Sequence, residues 1–436
     1  MGKGNFPNAL SKRIKTFLSK PPIPNPNPIP NPIPNPISPN PIRPNPINTI
    51  TPFINKQEIN SLETLDTYIK LHNTLENTII LDVNLISYTK ILSISVNYAC
   101  FLGCDMDAKL IIYITTNGGL IYPSITKIVP CKLFRTKLYT PNELLDGYYK
   151  GLPNISLNDT ICTWFSDYSK TKFTNNYQDM LTIFAMNVHD ASIDNALLEL
   201  INRIGKEKII GVMGGHSNTR TSIEYKNLVI TCRLLTLNGN VLMSGGSSGM
   251  MEAVHLGAHL AAYQESEIEP ALKIISVTND PTDFVNYYNS AINVLKTYPV
   301  LKTDINGNPI CSIAIPTWIY FNEPTTVFAT YIASYFSNPI REYALLNYAF
   351  GGVLISPGSA GTMAEIFIYN AIEKYLNMGY YTPFVFLNKY WWNTKIPVYS
   401  VIYSLASDTY KNCLHIVDTP TEVVDAFKFR ASNIAT

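Results

Sequence analysis

The sequence predicts a doubly wound α/β fold for residues 201–436, with a parallel sheet that carries helices on both faces. Two observations predict it. From about Lys208 onward, short β-branched runs alternate with helix-length segments, which is typical of βαβ units. Three of the strand-like runs end in glycine-containing turns that lead into a helical segment. In such sheets, ligands bind at the carboxyl ends of the strands.

Two segments precede this region. Residues 1–56 are rich in Pro and Asn, carry seven Lys or Arg residues and lack Asp and Glu, so we expect a disordered, basic, polyproline-like tail. Residues 57–200 contain the strand-like runs 78–81 and 110–114, together with turn signals such as Asn117-Gly118-Gly119. They predict a separate N-terminal α/β or α+β domain, whose chemistry the residues do not indicate.

The elements of the main region follow from its hydrophobic pattern. Candidate strands span 208–213, 240–243, 272–277, 312–320, 352–355, 383–387 and 413–417. Candidate helices span 219–237, 249–263, 325–349, 361–377, 396–408 and 420–429. This is enough material to cover both faces of one sheet.

Composition excludes several classes of function. The formal net charge is +1, so the whole molecule is not an electrostatic binder of nucleic acid. The seven cysteines are odd in number and scattered, which favours free thiols in a reducing compartment. No run of 18 apolar residues predicts a membrane span. We therefore expect a cytoplasmic protein without membrane or nucleic-acid partners, although the basic N-terminus also resembles a mitochondrial presequence.

The three glycine turns are the candidate binding elements. A helix N-terminus presents unpaired N–H groups and a partial positive charge, glycine lets the backbone approach an anion, and hydroxyls add donors, so these turns predict a phosphate site. The candidate residues are Gly214, Gly215, His216 and Ser217 in the first turn; Ser244, Gly245, Gly246, Ser247, Gly249, Met250 and Glu252 in the second; and Pro357, Gly358, Ser359, Gly361 and Thr362 in the third.

Alternative motifs are present. The second turn also fits GxSxG, the nucleophile elbow of α/β-hydrolases, with Ser247 as nucleophile and Asp280 or Asp283 and His415 following in the right chain order. That interpretation leaves the third turn unexplained. The first turn is not GxGxxG, so we expect no nicotinamide cofactor.

Metal sites have weak support in the sequence. His255 and His259 stand four residues apart with Glu252 one turn earlier, a spacing that can bind metal, but a third ligand is missing. We interpret them as a packed or solvated helix face. Cys100 and Cys104 lack a second cysteine pair, so we expect no zinc.

Two of the turns resemble motifs of a known family. The stretch Pro357–Glu365 resembles the PGGxGTxxE motif of the LOG family, which is often misnamed lysine decarboxylases, and Ser244–Ala253 resembles its GGGxxGxMEA loop. Gly214-Gly215-His216-Ser217 is similar to the GGHS opening of the larger bacterial nucleotide nucleosidases related to that family. The resemblance covers roughly residues 205–430. Ser359 departs from it by replacing the second glycine, and the spacing from Arg341 to Pro357 is one residue longer.

The resemblance implies a Rossmann-like fold and a phosphoribohydrolase, which cleaves a nucleoside 5′-monophosphate into free base and ribose 5-phosphate. It implies Arg341 and Glu365 as the catalytic pair, no cofactor, and a homodimer or higher homo-oligomer. Our leading hypothesis is therefore a nucleoside 5′-monophosphate N-glycosidase. A non-catalytic nucleotide-binding or sensing protein of the same fold is the principal alternative, and an α/β-hydrolase that uses Ser247 is the third.

Overall fold

The structure, a computed structural model, describes residues 57–123, 128–152, 155–175, 179–320, 323–375 and 378–428. The predicted tail, residues 1–56, lies outside the described residues. The described residues belong to one compact unit. None of its described helices is long and apolar enough to span a membrane.

A seven-stranded parallel sheet confirms the predicted doubly wound α/β fold. Four shorter strands precede it in the chain: β1 (Glu58–Ile59), β2 (Ile79–Leu81), β3 (Cys100–Leu102) and β4 (Leu120–Tyr122). The main sheet contains β5 (Ile209–Met213), β6 (Val241–Ser244), β7 (Ser312–Ala314), β8 (Tyr331–Ile332), β9 (Val353–Ile355), β10 (Phe384–Leu387) and β11 (Leu414–Val417). Its strands run in the order β11-β10-β9-β5-β6-β7-β8.

Helices cover both sheets. In the first part of the chain they are α1 (Leu62–His72), α2 (Ala108–Thr116), α3 (Pro141–Leu144), α4 (Asp146–Tyr149), α5 (Leu157–Asn175) and α6 (Met180–Ile204). The rest are α7 (Ile223–Leu237), α8 (Met250–Leu260), α9 (Ile268–Ile275), α10 (Phe284–Thr297), α11 (Asn338–Asn347), α12 (Ala360–Lys374), α13 (Tyr399–Leu405), α14 (Asp408–Lys411) and α15 (Pro420–Lys428). Trp391–Lys395 forms a π-helical turn.

The order of the strands places a topological switch point in the middle of the main sheet. The chain leaves β5 towards β6, β7 and β8 on one side, and then returns to β9 on the other side of β5 before continuing to β10 and β11. The connections after β5 and β9 therefore diverge. A crevice forms where connections diverge in this way, and it is the usual ligand site of such sheets.

One predicted strand of the main region is wrong. Residues 272–277 belong mostly to helix α9, and its buried residues are Ile268, Ala271, Leu272 and Ile275. These positions follow the 3.6-residue period of a helix that buries one face. A short apolar run such as 272–277 does not distinguish a strand from a helix when it is considered alone.

Other boundaries also differ from the prediction. The predicted helix 325–349 contains strand β8, and the helix begins only at Asn338, with Pro339 in its first turn. The predicted strand 312–320 ends at Ala314, two residues before Pro316. Residues 110–114 lie in helix α2 rather than a strand, because Asp107 caps that helix and only Leu110 and Ile114 are buried.

Strands β1 to β4 form a second parallel sheet with a regular repeat. Paired positions in neighbouring strands are Glu58, Ile79, Cys100 and Leu120, which lie 20 or 21 residues apart. The repeat packs its own hydrophobic cluster, centred on Ile80 and Phe101. Repeats of this length typically form stacked units in which each unit covers the core of the next.

Residues 129–201 contribute to the core of the main sheet. Tyr139 pairs with Ile332 of β8 by two backbone hydrogen bonds, of 3.0 and 2.8 Å. Helix α6 buries Ile193, Leu197 and Ile201 in the same cluster as the main strands. That core therefore extends into the segment 57–200, which the sequence predicts as a separate domain.

Candidate functional site

The three glycine turns meet at the carboxyl ends of β9, β5 and β6, the three adjacent central strands. Gly215 N–H donates to the Pro357 carbonyl at 3.0 Å, and Met250 N–H donates to the Gly215 carbonyl at 3.0 Å. The first turn thus bridges the other two. These backbone bonds bring the three sequence-predicted turns into one site.

The second turn is held closely against the first. All residues from Ser244 to Met250 are buried. Gly249 adopts φ +67°, and a Cβ there would lie 2.4 Å from the His216 carbonyl oxygen. Glycine is therefore required for the turn to enter helix α8 at this place.

His255, on helix α8, orients the second turn through hydrogen bonds. Its Nε2 lies 2.8 Å from the Ser244 hydroxyl, and its Nδ1 lies 3.0 Å from the Ser312 hydroxyl. The Ser244 hydroxyl in turn accepts a hydrogen bond from Gly246 N–H at 3.2 Å. Burial lowers the pKa of His255 to about 3, so its imidazole is neutral. The sequence gives no sign of this positioning role.

Both helices that begin at the site lack a side-chain cap. Helix α8 starts after Gly249 and helix α12 after Ser359, and neither residue caps its helix by a side-chain hydrogen bond. By contrast, Ser222 and Asp283 cap helices α7 and α10. Ser359, Ala360 and Gly361 are exposed. Uncapped N–H groups at an exposed helix start are suited to bind an anion.

Arg341 reaches the site from helix α11, and it is 5% exposed. Its Nε donates to the Ile315 carbonyl at 2.7 Å, and its Nη1 donates to Glu342 Oε1 at 2.6 Å. Its Nη2 lies over Gly245, where an added Cβ would approach it to 2.2 Å. The guanidinium is thus fixed on one edge while its other edge faces the second turn.

Glu365 lies on helix α12 in the electrostatic field of this arginine. The pKa of Glu365 is raised to about 8, mainly by burial and also by the negative charge of Glu342, while the positive charge of Arg341 lowers it. Glu342 Oε2 is buried and has no hydrogen-bond partner among the described residues. The predicted pair Arg341 and Glu365 therefore forms a cluster of three ionisable groups with Glu342, which the sequence did not single out.

Glu252 was expected among the ligand contacts, and its position corrects that expectation. It is 2% exposed. Arg220 forms a two-pronged ion pair with it at 2.5 and 2.7 Å, and the hydroxyls of Tyr225 and Tyr287 each donate to it at 3.0 Å. Its oxygens are engaged inside the protein, so Glu252 anchors helix α8 rather than contacting a ligand.

The remaining predicted residues lie around the mouth of the site. His216 and Ser217 are exposed, and His216 Nδ1 lies 3.9 Å from Glu323 Oε1. Thr362 is buried, with its hydroxyl against Gly358. Trp391, which the sequence did not indicate, donates from its indole N–H to the Gly358 carbonyl at 3.2 Å.

The sheet order contradicts the hydrolase triad. Ser247 follows β6 and His415 lies on β11, with three strands between them. At about 4.8 Å per strand spacing, the two strands are roughly 19 Å apart, which is far beyond hydrogen-bond reach. Ser247 therefore cannot use His415 as its base.

The packed interpretation of His255 and His259 is correct. Both side chains are buried, and His259 Nε2 lies 2.9 Å from the Tyr298 carbonyl oxygen. Burial lowers the pKa of His259 to about 4. Each imidazole is thus committed to hydrogen bonds within the protein.

Comparisons with known proteins give only distant likenesses. No protein-family model and no curated protein matches the chain. A molybdenum cofactor binding protein from Rippkaea orientalis is 18% identical, with a TM-score of 0.31 over 50% of this chain and 94% of that one. The molybdenum cofactor carrier protein from Chlamydomonas reinhardtii is 14% identical, with a TM-score of 0.30 over 50% and 95%. The protein TM1055 is 16% identical, with a TM-score of 0.31 over 51% and 98%. The function must therefore be argued from the residues of the site.

Proposed function

We propose that this protein is a nucleoside 5′-monophosphate N-glycosidase that releases free base and ribose 5-phosphate. The observation that carries the proposal is the convergence of two uncapped helix starts with a buried arginine and Glu365 at the switch point of the sheet. The first two features suit a phosphate, and the last suits proton transfer. The resemblance of the turns to LOG-family motifs supports the same activity.

The phosphate would be bound by backbone N–H groups at the start of helix α12 and by those that follow Met250 in α8, since Met250 N–H itself donates to the Gly215 carbonyl. Arg341 adds a fixed positive charge whose Nη2 has no hydrogen-bond acceptor among the described residues. Arginine binds phosphate through parallel hydrogen bonds, so a partly satisfied guanidinium beside a glycine turn is well suited to this ligand. The exposed His216 and Ser217 then border the ribose or the base.

Glu365 would act on the glycosidic bond. Its pKa of about 8 leaves the carboxyl group mostly protonated at neutral pH, so it can donate that proton to the leaving base. The bond between C1′ and the base nitrogen breaks with its electron pair on the base. The resulting carboxylate faces the oxocarbenium-like sugar, and it accepts a proton from the water that attacks C1′.

The principal alternative, a non-catalytic nucleotide-binding protein, would use the same turns without Glu365. Incubation with each nucleoside monophosphate, followed by measurement of free base and ribose 5-phosphate, separates the two. We expect product from the wild type, and a loss of about 10²–10⁴-fold in kcat for Glu365→Gln with nucleotide binding retained. Measurable nucleotide binding without product from the wild type would reject the enzyme and favour the alternative.

The protein is also proposed to form a homodimer in the cytoplasm, without a cofactor. An apolar stripe runs along helix α12 beside Glu365 and includes Ala364, Phe367, Ile368 and Tyr375, all of them exposed. Phe367, Ile368 and Tyr375, the last just past the end of the helix, follow Ala364 by three, four and eleven residues and so share one helix face. A second copy that covers this face would bring the two sites close together.

A further inference from the structure

Helix α6 contacts both ends of the helix that carries Arg341. The Asp190 carboxylate is fully buried and accepts hydrogen bonds from Phe336 N–H at 2.9 Å and Ser337 N–H at 2.8 Å. Ser337 is the N-cap of helix α11, and its own side chain makes no capping hydrogen bond. Asp190 therefore holds the backbone immediately before the first turn of α11, from a helix 146 residues earlier in the chain.

Asp194, one turn farther along α6, holds the flanks of the same helix. It accepts hydrogen bonds from the Tyr335 hydroxyl at 3.2 Å and from the Tyr348 hydroxyl at 2.8 Å. Tyr335 precedes α11 and Tyr348 ends it. The two carboxylates thus fasten α11 at its beginning and at its end.

A short chain of hydrogen bonds joins Asp190 to the arginine. Asp190 accepts from Ser337 N–H, and the Ser337 carbonyl accepts from Arg341 N–H at 3.0 Å. Arg341 is in the first turn of α11, so any shift of the helix start displaces its guanidinium from Gly245. A misplacement of about 1 Å at a reacting group can lower a rate about 100-fold.

The surroundings of Asp190 allow it little freedom. The neighbouring His189 packs its ring against Phe336 and Trp318, at centroid distances of 5.0 and 5.3 Å. Its Nε2 lies 2.9 Å from the Tyr139 hydroxyl. This aromatic cluster fixes α6 at the level of Asp190, so the carboxylate is a rigid support for α11.

We infer that Asp190 and Asp194 are positioning residues that hold Arg341 in the site, and that helix α6 is an integral part of the catalytic unit. The inference rests on the proposed function for its link to turnover. The hydrogen bonds themselves do not depend on that function, so the positioning role and the proposed function can be tested separately.

The test compares Asp190→Asn, Asp194→Asn and Arg341→Ala with the double variant Asp190→Asn/Arg341→Ala in the full chain. Glu199→Gln is the matched control, because Glu199 is exposed on the same helix and bonds no residue of α11 among the described residues. We expect Asp190→Asn to lower kcat/KM at least about tenfold and Glu199→Gln to leave it unchanged. The double variant should be no worse than Arg341→Ala alone, because coupled residues are not additive.

Three outcomes overturn the inference: wild-type kcat/KM in a folded Asp190→Asn variant, losses that add fully in the double variant, or unchanged amide hydrogen exchange across 336–347. If Asp190→Asn does not fold, Tyr348→Phe removes one hydrogen bond to Asp194 and should still increase that exchange and lower kcat/KM. If the wild type releases no product, the proposed function fails, while ribose 5-phosphate binding and hydrogen exchange across the same variants still decide the positioning role.

Discussion

Glu365 links the chemistry of the site to pH. Its native pKa is about 8, above the ordinary value of 4.5, so the native protein holds a proton that the unfolded chain releases. The free energy of unfolding contributed by this group therefore falls as pH rises from about 4.5 to about 8 and is constant above that.

We expect Glu365→Gln to flatten this part of the stability curve, because the amide does not titrate. Chemical denaturation between pH 5 and pH 9 (about four steps suffice to define the slope) would measure the difference from the wild type. Glu373, whose pKa burial raises to about 7, contributes a slope of the same sign to both proteins and cancels in the comparison. An identical slope in both proteins would contradict the raised pKa of Glu365.

Gly245 offers a second test at the residue scale. A Cβ there would lie 2.2 Å from Arg341 Nη2, although the backbone at Gly245 is not in the left-handed region. Gly245→Ala should therefore leave the fold intact and displace the guanidinium, with a loss of about 100-fold in kcat/KM. Steady-state kinetics of the variant, with thermal unfolding as a control for its fold, would measure this loss. A wild-type kcat/KM in Gly245→Ala would show that the reaction does not need the Arg341 guanidinium beside Gly245.

At the scale of elements, helix starts distinguish the site from the rest of the fold. Helices α7 and α10 are capped by their own Ser or Asp, whereas α8 and α12 have no side-chain cap, and Asp190 of α6 binds the backbone just before the first turn of α11. The sequence indicates the missing cap of α8, where Gly249 stands before the helix, but not that of α12, where Ser359 makes no capping hydrogen bond. It does not indicate the contact with α11, because Asp190 lies far away in the chain.

The hydrophobic cluster of the β1–β4 repeat can be tested by substitution. Phe101 is fully buried at the centre of that cluster, whereas Ile112 on α2 is 65% exposed. Phe101→Ala should lower the free energy of unfolding by about 3–5 kcal/mol through the cavity it leaves, and Ile112→Ala by less than about 0.5 kcal/mol. Urea denaturation of both variants would measure this, and equal effects would mean that the cluster is not a packed core.

At the scale of the whole molecule, the apolar stripe on α12 is the proposed dimer contact. Phe367→Glu places a charge in the middle of the stripe and should shift the protein towards the monomer, because an unpaired charge in an apolar interface is costly. Val277→Glu is the control, since Val277 is 82% exposed on a different part of the surface. Light scattering after gel filtration would measure both, and a wild-type monomer would reject the proposed dimer.

The sequence by itself determined the parallel α/β class and the three glycine turns. These features are encoded locally, by β-branched runs and by glycine at strand ends. Arg341 and Glu365 became the charged residues to examine only through the resemblance to LOG-family motifs. Only the tertiary structure decided that 272–277 is helical, that Glu252 is bound internally by Arg220, and that Ser247 and His415 are too far apart to cooperate. It alone brought Asp190 to the start of α11 and Glu342 beside Glu365. The physical reason is that burial, strand order and long-range hydrogen bonds depend on which segments pack together, and one sequence read along its length does not contain that information.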